Sequence, residues 1–188
     1  DTTKAAEGFR KLSERTGASV EFLSRFTEAA DDVFVSSEAV SSSLSIFARK
    51  LGGVEDAMDG SGVSADKFLT KLREIGVDST NVEDALYQVA DRFKVMENGA
   101  AKTALAVQLF GRGGAELIPI LNKGRAGIKE MGDAAEALGL VITSETVLAV
   151  QEMKRNQDEL NDTVEGFARR LAQSVIPELN KFTKALLL

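Results

Sequence analysis

The 188-residue sequence contains no cysteine and no histidine. Disulfides, thiol nucleophiles, cysteine-based zinc sites and imidazole catalysis are therefore excluded within it. Tryptophan is absent, and the aromatics are ten Phe and one Tyr. No apolar run reaches the length needed to span a bilayer. No signal-peptide pattern is present, since Asp1 opens a polar helical stretch. There is also no basic block. Lys plus Arg number 23 against 29 Asp plus Glu, a net charge of −6. Such a chain grips phosphate poorly, so sequence-specific nucleic-acid binding is not expected. An acidic surface suits a space through which DNA passes without sticking.

What the sequence does have is helix-forming residues punctuated by glycine. Hydrophobic residues make up 44%, enough for a core, and only two prolines occur. Breaks fall at Gly17, Gly52-Gly53, Gly60 to Gly62, Gly76, Asn98-Gly99, Gly111 to Gly114, Gly124, Gly127 and Gly139. Between them apolar residues recur at three and four. Val20, Leu23, Phe26 and Ala30 form one stripe, Val40, Leu44, Phe47 and Leu51 a second, and Val82, Ala85, Leu86, Val89 and Phe93 a third. Each spacing predicts an amphipathic helix. Thr80-Asn81-Val82-Glu83 has capping-box spacing, and Ser64, Asn98 and Thr143 or Ser144 are candidate N-caps. Leu140-Val141-Ile142 is the one short strand candidate. Phe9, Phe22, Phe26, Phe34, Phe47, Phe68, Phe93 and Phe110 are assigned to core packing. The expected architecture is all-α: a compact module of short amphipathic helices over 1–140, then one long helix over 143–188.

The long helix carries one apolar seam, Leu160, Val164, Phe167, Leu171, Val175, Leu179, Phe182 and Leu186. Steps of four predominate over steps of three, so the seam repeats more slowly than the 3.5 residues of a left-handed coiled coil. It calls for a partner helix, and a homo-oligomer through this helix is expected. Gly166 should weaken the helix, and Pro177 should kink it by removing a hydrogen bond to Gln173. The sequence closes on Ala185-Leu186-Leu187-Leu188 in mid-helix. The expectation is that the helix continues into a more apolar segment.

No chemistry-bearing constellation stands out. In Gly111-Arg112-Gly113-Gly114-Ala115-Glu116 a glutamate occupies the place of the third glycine of a dinucleotide fingerprint. Arg112 reads as solvated or bound to a helix C-terminal carbonyl. Asp56, Asp59, Gly60 and Ser61 resemble a calcium loop faintly, but Val63 and Lys67 stand where ligands belong. Pairs such as Asp158 and Asp162 are expected by chance among so many carboxylates. No catalytic residue, cofactor-binding residue or metal ligand is assigned, and no enzyme activity is expected.

The densest local signal is Leu109 to Asn122. It joins two helical patterns through three glycines in four residues, followed by Pro119. The glycines allow positive φ and close backbone approach. The corner Phe110, Gly111, Arg112, Gly113, Gly114, with Pro119 and Asn122, resembles a signature of the tail tape measure proteins of long-tailed bacteriophages and prophages. Phe68 to Val77, Leu86 to Phe93, Met96 to Lys102 and Ala137-Leu138-Gly139 are similar to flanking blocks of that family. The resemblance spans about residues 15–180, and Ile75 and Ile120 stand where leucine is common. It implies a virion structural protein of the tail-tube lumen, made in the host cytoplasm and acting in tail length determination, tail assembly and genome ejection. Tail tube, tail tip and tail chaperone proteins are the implied partners, with membrane contact only through flanking segments. The alternative is a helical membrane-active or translocated domain of pore-forming or effector type, suggested by the terminal leucines and the Ala-rich helices.

Overall fold

The computed structural model describes residues 2–53 and 65–186. The calcium-like loop, the Ser64 cap, Leu187 and Leu188 fall outside the described residues, as does the side chain of Leu186. Among the described residues the chain is all-α, with no strand. The helices are α1 (Thr2–Thr16), α2 (Val20–Asp31), α3 (Ser37–Leu51), α4 (Ala65–Glu74), α5 (Val82–Val95), α6 (Ala100–Phe110), α7 (Ile118–Leu121), α8 (Gly124–Ala137) and α9 (Ser144–Leu186). A 3-10 turn, Arg112–Leu117, links α6 to α7. The chain divides into two compact units, Asp1–Val147 and Leu148–Leu188.

Side-chain caps start several of these helices. Ser19 Oγ accepts from Phe22 N–H at 3.2 Å, and Ser36 Oγ from Ala39 N–H at 3.2 Å. Asn81 Oδ1 accepts from Asp84 N–H at 3.1 Å. Each cap satisfies one of the backbone donors a helix leaves open at its start. The capping box therefore shifts by one residue, with Asn81 as the cap in place of Thr80, and Glu83 turns elsewhere. Asn98 does not cap α6. Gly99 takes that position, and Asn98 Oδ1 accepts from the buried Lys102 Nζ at 3.1 Å. Lys102 Nζ also donates to Met96 O at 2.9 Å, which keeps a 2% exposed ammonium bonded. Leu140-Val141-Ile142 forms a connector, not a strand.

In the first unit the stripes converge on one core. Phe26, Leu44, Phe47, Phe68, Leu86, Phe93, Leu109 and Phe110 are all fully buried. Each such side chain contributes about 1.5–3 kcal/mol relative to exposure. α8 packs along α2 and α5, α1 lies on α2 and α3, and the 3-10 turn folds back on α6 and α3. The second unit is the single helix α9 from Leu148 onward, and it continues without a break across Gly166 and Pro177.

Candidate functional site

The glycine corner is built on backbone proximity. Gly111 ends α6 at φ 79°, ψ −169°, a conformation essentially restricted to glycine. The chain then turns back so tightly that a Cβ on Gly114 would lie 2.2 Å from Ala106 O and 2.8 Å from Phe110 Cβ. A Cβ on Gly113 would meet only Ser43 Oγ, at 3.6 Å. Of the two expectations, positive φ holds at Gly111 and close approach at Gly114, while neither applies at Gly113. Gly114 is glycine because of its neighbour, not its φ. Phe110 stacks on Phe47 with ring centres 5.0 Å apart, and Phe47 meets Phe68 edge-on at 5.6 Å. Arg112 and Pro119 are exposed, and Pro119 sits in the first turn of α7, where its missing N–H leaves no bond unmade. Asn122 is half-buried. Its N–H donates to Ile118 O at 2.9 Å, and its Oδ1 is buried with no partner among the described residues. Phe110 thus packs α6 against Phe47 of α3, which in turn meets Phe68 of α4.

A second group of residues is joined across long stretches of sequence, and only the Thr143 cap within it was legible locally. Carboxylates on one helix cap the start of another. Glu83 of α5 accepts from Ser19 N–H at 2.6 Å and Ser19 Oγ at 2.8 Å. Asp91 of α5 accepts from Arg125 N–H at 2.7 Å, at the start of α8. Glu21 of α2 accepts from Ser144 N–H at 2.5 Å and Ser144 Oγ at 3.1 Å, at the root of α9. Thr143 Oγ1 caps α9 from within, accepting from Thr146 N–H at 3.2 Å, and Ser24 Oγ accepts from Ile142 N–H at 2.8 Å. Arg25 binds Asp133 at 2.6 Å and also Glu136. Tyr87 lies edge-on to Phe22, with Arg125 and Lys129 over its ring. Burial, then the Glu83 carboxylate, pushes the Tyr87 phenol up.

Burial raises the Glu21 pKa, but the hydrogen bonds from the Ser144 backbone, its own backbone and the Ser144 hydroxyl outweigh that and hold it below the ordinary value of 4.5. A depressed folded pKa stabilises above the unfolded pKa, and that contribution is lost as pH falls through the folded one. Amides of Ile142 to Val147 are therefore expected to exchange faster with solvent once pH drops below the ordinary carboxylate range, relative to the rest of the module. Glu21→Gln should show the faster exchange already at neutral pH, and hydrogen exchange by mass spectrometry reads both.

One phenylalanine departs from the core assignment. Phe34 is 99% exposed, and its φ is 63°. It follows α2 in the left-handed position of a Schellman turn, where Phe34 N–H donates to Asp31 O at 2.8 Å and Val35 N–H to Ala30 O at 2.9 Å. Glycine or asparagine ordinarily fills that position, and a bulky side chain there costs about 1–2 kcal/mol. Nearby is a 760 Å³ cleft between α1 and α3. Ala5, Gly8 and Phe9 of α1 and four serines of α3 line it, with Lys4, Arg15 and Glu38 as the charged members of the lining.

The seam expected on the last helix is visible from Leu160 to Phe182, where its seven members are between 43% and 66% exposed. Among the described residues no helix is long and apolar enough to cross a membrane, and no group of three metal-ligating side chains gathers. No family model, no curated protein and no solved structure matches this chain.

Proposed function

We propose that this chain is a helical segment of a phage or prophage tail tape measure protein, a non-enzymatic structural component acting in tail assembly, tail length determination and genome ejection. The observation that carries the reading is α9. A lone helix cannot bury a seam of seven large apolar residues, and a row of such side chains at helical spacing marks an association surface. At 1.5 Å per residue its 43 residues extend about 65 Å, the kind of element that measures or bridges distance. The resemblance of the Phe110 to Asn122 corner to the family, and an acidic chain suited to DNA passage, support the same reading. On this reading the chain associates with itself through the seam, meets tail tube, tail tip and tail chaperone proteins during assembly in the host cytoplasm, and ends in the tube lumen of the virion tail.

Two experiments test this. In light scattering, Phe167→Glu with Leu171→Glu is expected to lower the mass of the assembled chain while helical content stays unchanged. In phage particles, deletion of residues 2–143 is expected to change tail length or infectivity. Tails of normal length and full infectivity would remove the basis of the proposal.

A further inference from the structure

Phe34 and the α1–α3 cleft have the features of a knob and its socket. We propose that two copies of this chain exchange them, each inserting Phe34 into the other's α1–α3 cleft. The proposal is independent of the tail reading and of the α9 seam.

Three observations carry it. First, the fold gives no reason for a phenylalanine at position 34. The side chain touches almost nothing, being 99% exposed, and it occupies a left-handed backbone position that favours glycine. Aromatic side chains, phenylalanine among them, are enriched in the cores of protein interfaces relative to the rest of the surface. Second, the socket suits it. Its lining is mostly small side chains, four of them serines, a Cβ added at Gly8 would meet nothing within 4 Å, and Phe9 adds an aromatic ring to the lining.

Third, the charges around the two are complementary. Asp31 and Asp32 are exposed beside Phe34, and Glu28 lies one turn before them. None of the three has an ion-pair partner among the described residues. Burial, then the charges of Asp31 and Asp32, raises the pKa of Glu28, so this edge of the free chain is crowded with negative charge. Lys4 and Arg15 flank the socket, partly offset by Glu38 on its lining. Docking would set the acidic edge against the basic one.

Ser37 and Glu38 line the cleft and follow Phe34 by three and four residues. Three residues span at most about 11 Å, so the Phe34 backbone lies within that distance of Ser37 on the socket's lining. The exchange we infer is two-fold, since that arrangement closes at two copies and makes both contacts at once.

The test uses the full chain carrying Phe167→Glu and Leu171→Glu, so that the seam is silent. Sedimentation equilibrium is expected to show a dimer. Adding Phe34→Gly, or instead Gly8→Leu, is expected to weaken that dimer at least tenfold. Both changes should also raise the melting temperature, the first by relieving the left-handed residue and the second by raising helix propensity at an open site. Misfolding therefore cannot account for lost association. A seam-silenced chain that stays monomeric at millimolar concentration, or a dimer indifferent to both substitutions, overturns the proposal.

Discussion

Gly114→Ala is expected to destabilise the first unit by about 3 kcal/mol or more, among the larger effects a single methyl group can have. The added Cβ would sit 2.2 Å from a carbonyl oxygen of α6 and 2.8 Å from Ala106 C and Phe110 Cβ. None of these atoms is the tip of a flexible side chain that can swing away. Relief requires the 3-10 turn to lift off α6, which opens the core around Phe110. The neighbouring glycines supply the controls. Gly113→Ala should change stability by less than about 0.5 kcal/mol, because its nearest atom is Ser43 Oγ at 3.6 Å. Gly111→Ala should cost about 1–3 kcal/mol through its φ of 79°. Urea denaturation of the three variants gives the ranking, and equal midpoints for Gly113→Ala and Gly114→Ala would show that the close approach is absent in solution.

Phe110→Ala is expected to cost about 3–5 kcal/mol. The side chain is fully buried and stacks on Phe47, which in turn meets Phe68. Truncation leaves a cavity at the junction of α3, α4 and α6, and the backbone contact at Gly114 keeps α6 from closing over it. For a unit of this size the loss is about 10 °C in melting temperature. Phe110→Leu keeps most of the volume and forfeits mainly the ring stacking, about 0.5–1.5 kcal/mol. If both variants melted within a degree or two of the parent sequence, the aromatic cluster would not be the centre of the core.

Local patterns in the sequence carried the helices well. The stripes through Phe26, Phe47 and Phe93 are core faces, because a helix that buries one face must repeat at three and four. The seam on α9 was legible for the same reason. Features set by distant residues were not. Glu83 looked like half of a capping box three residues after Thr80, yet its partner is Ser19, 64 residues away. Phe34 matched the composition of a core residue, and nothing in its neighbours announced that the turn would aim it outward. Gly111, Gly113 and Gly114 are chemically identical, and only the path of α6 separates a φ requirement, no requirement and a contact requirement. The socket between α1 and α3 has no signature in either helix alone.

The clamps on α2 also set an order of events. Arg25 waits for Asp133, 108 residues downstream, Ser24 for Ile142, 118 downstream, and Glu21 for Ser144, 123 downstream. A ribosome must therefore deliver nearly the whole first unit before α2 acquires these partners. Contacts of such separation slow folding, because the chain between them is ordered before they form. Until then the apolar flank of α2 stays uncovered on the nascent chain, a window in which a holding chaperone has something to grasp. Within this unit α2 is made early and completed last.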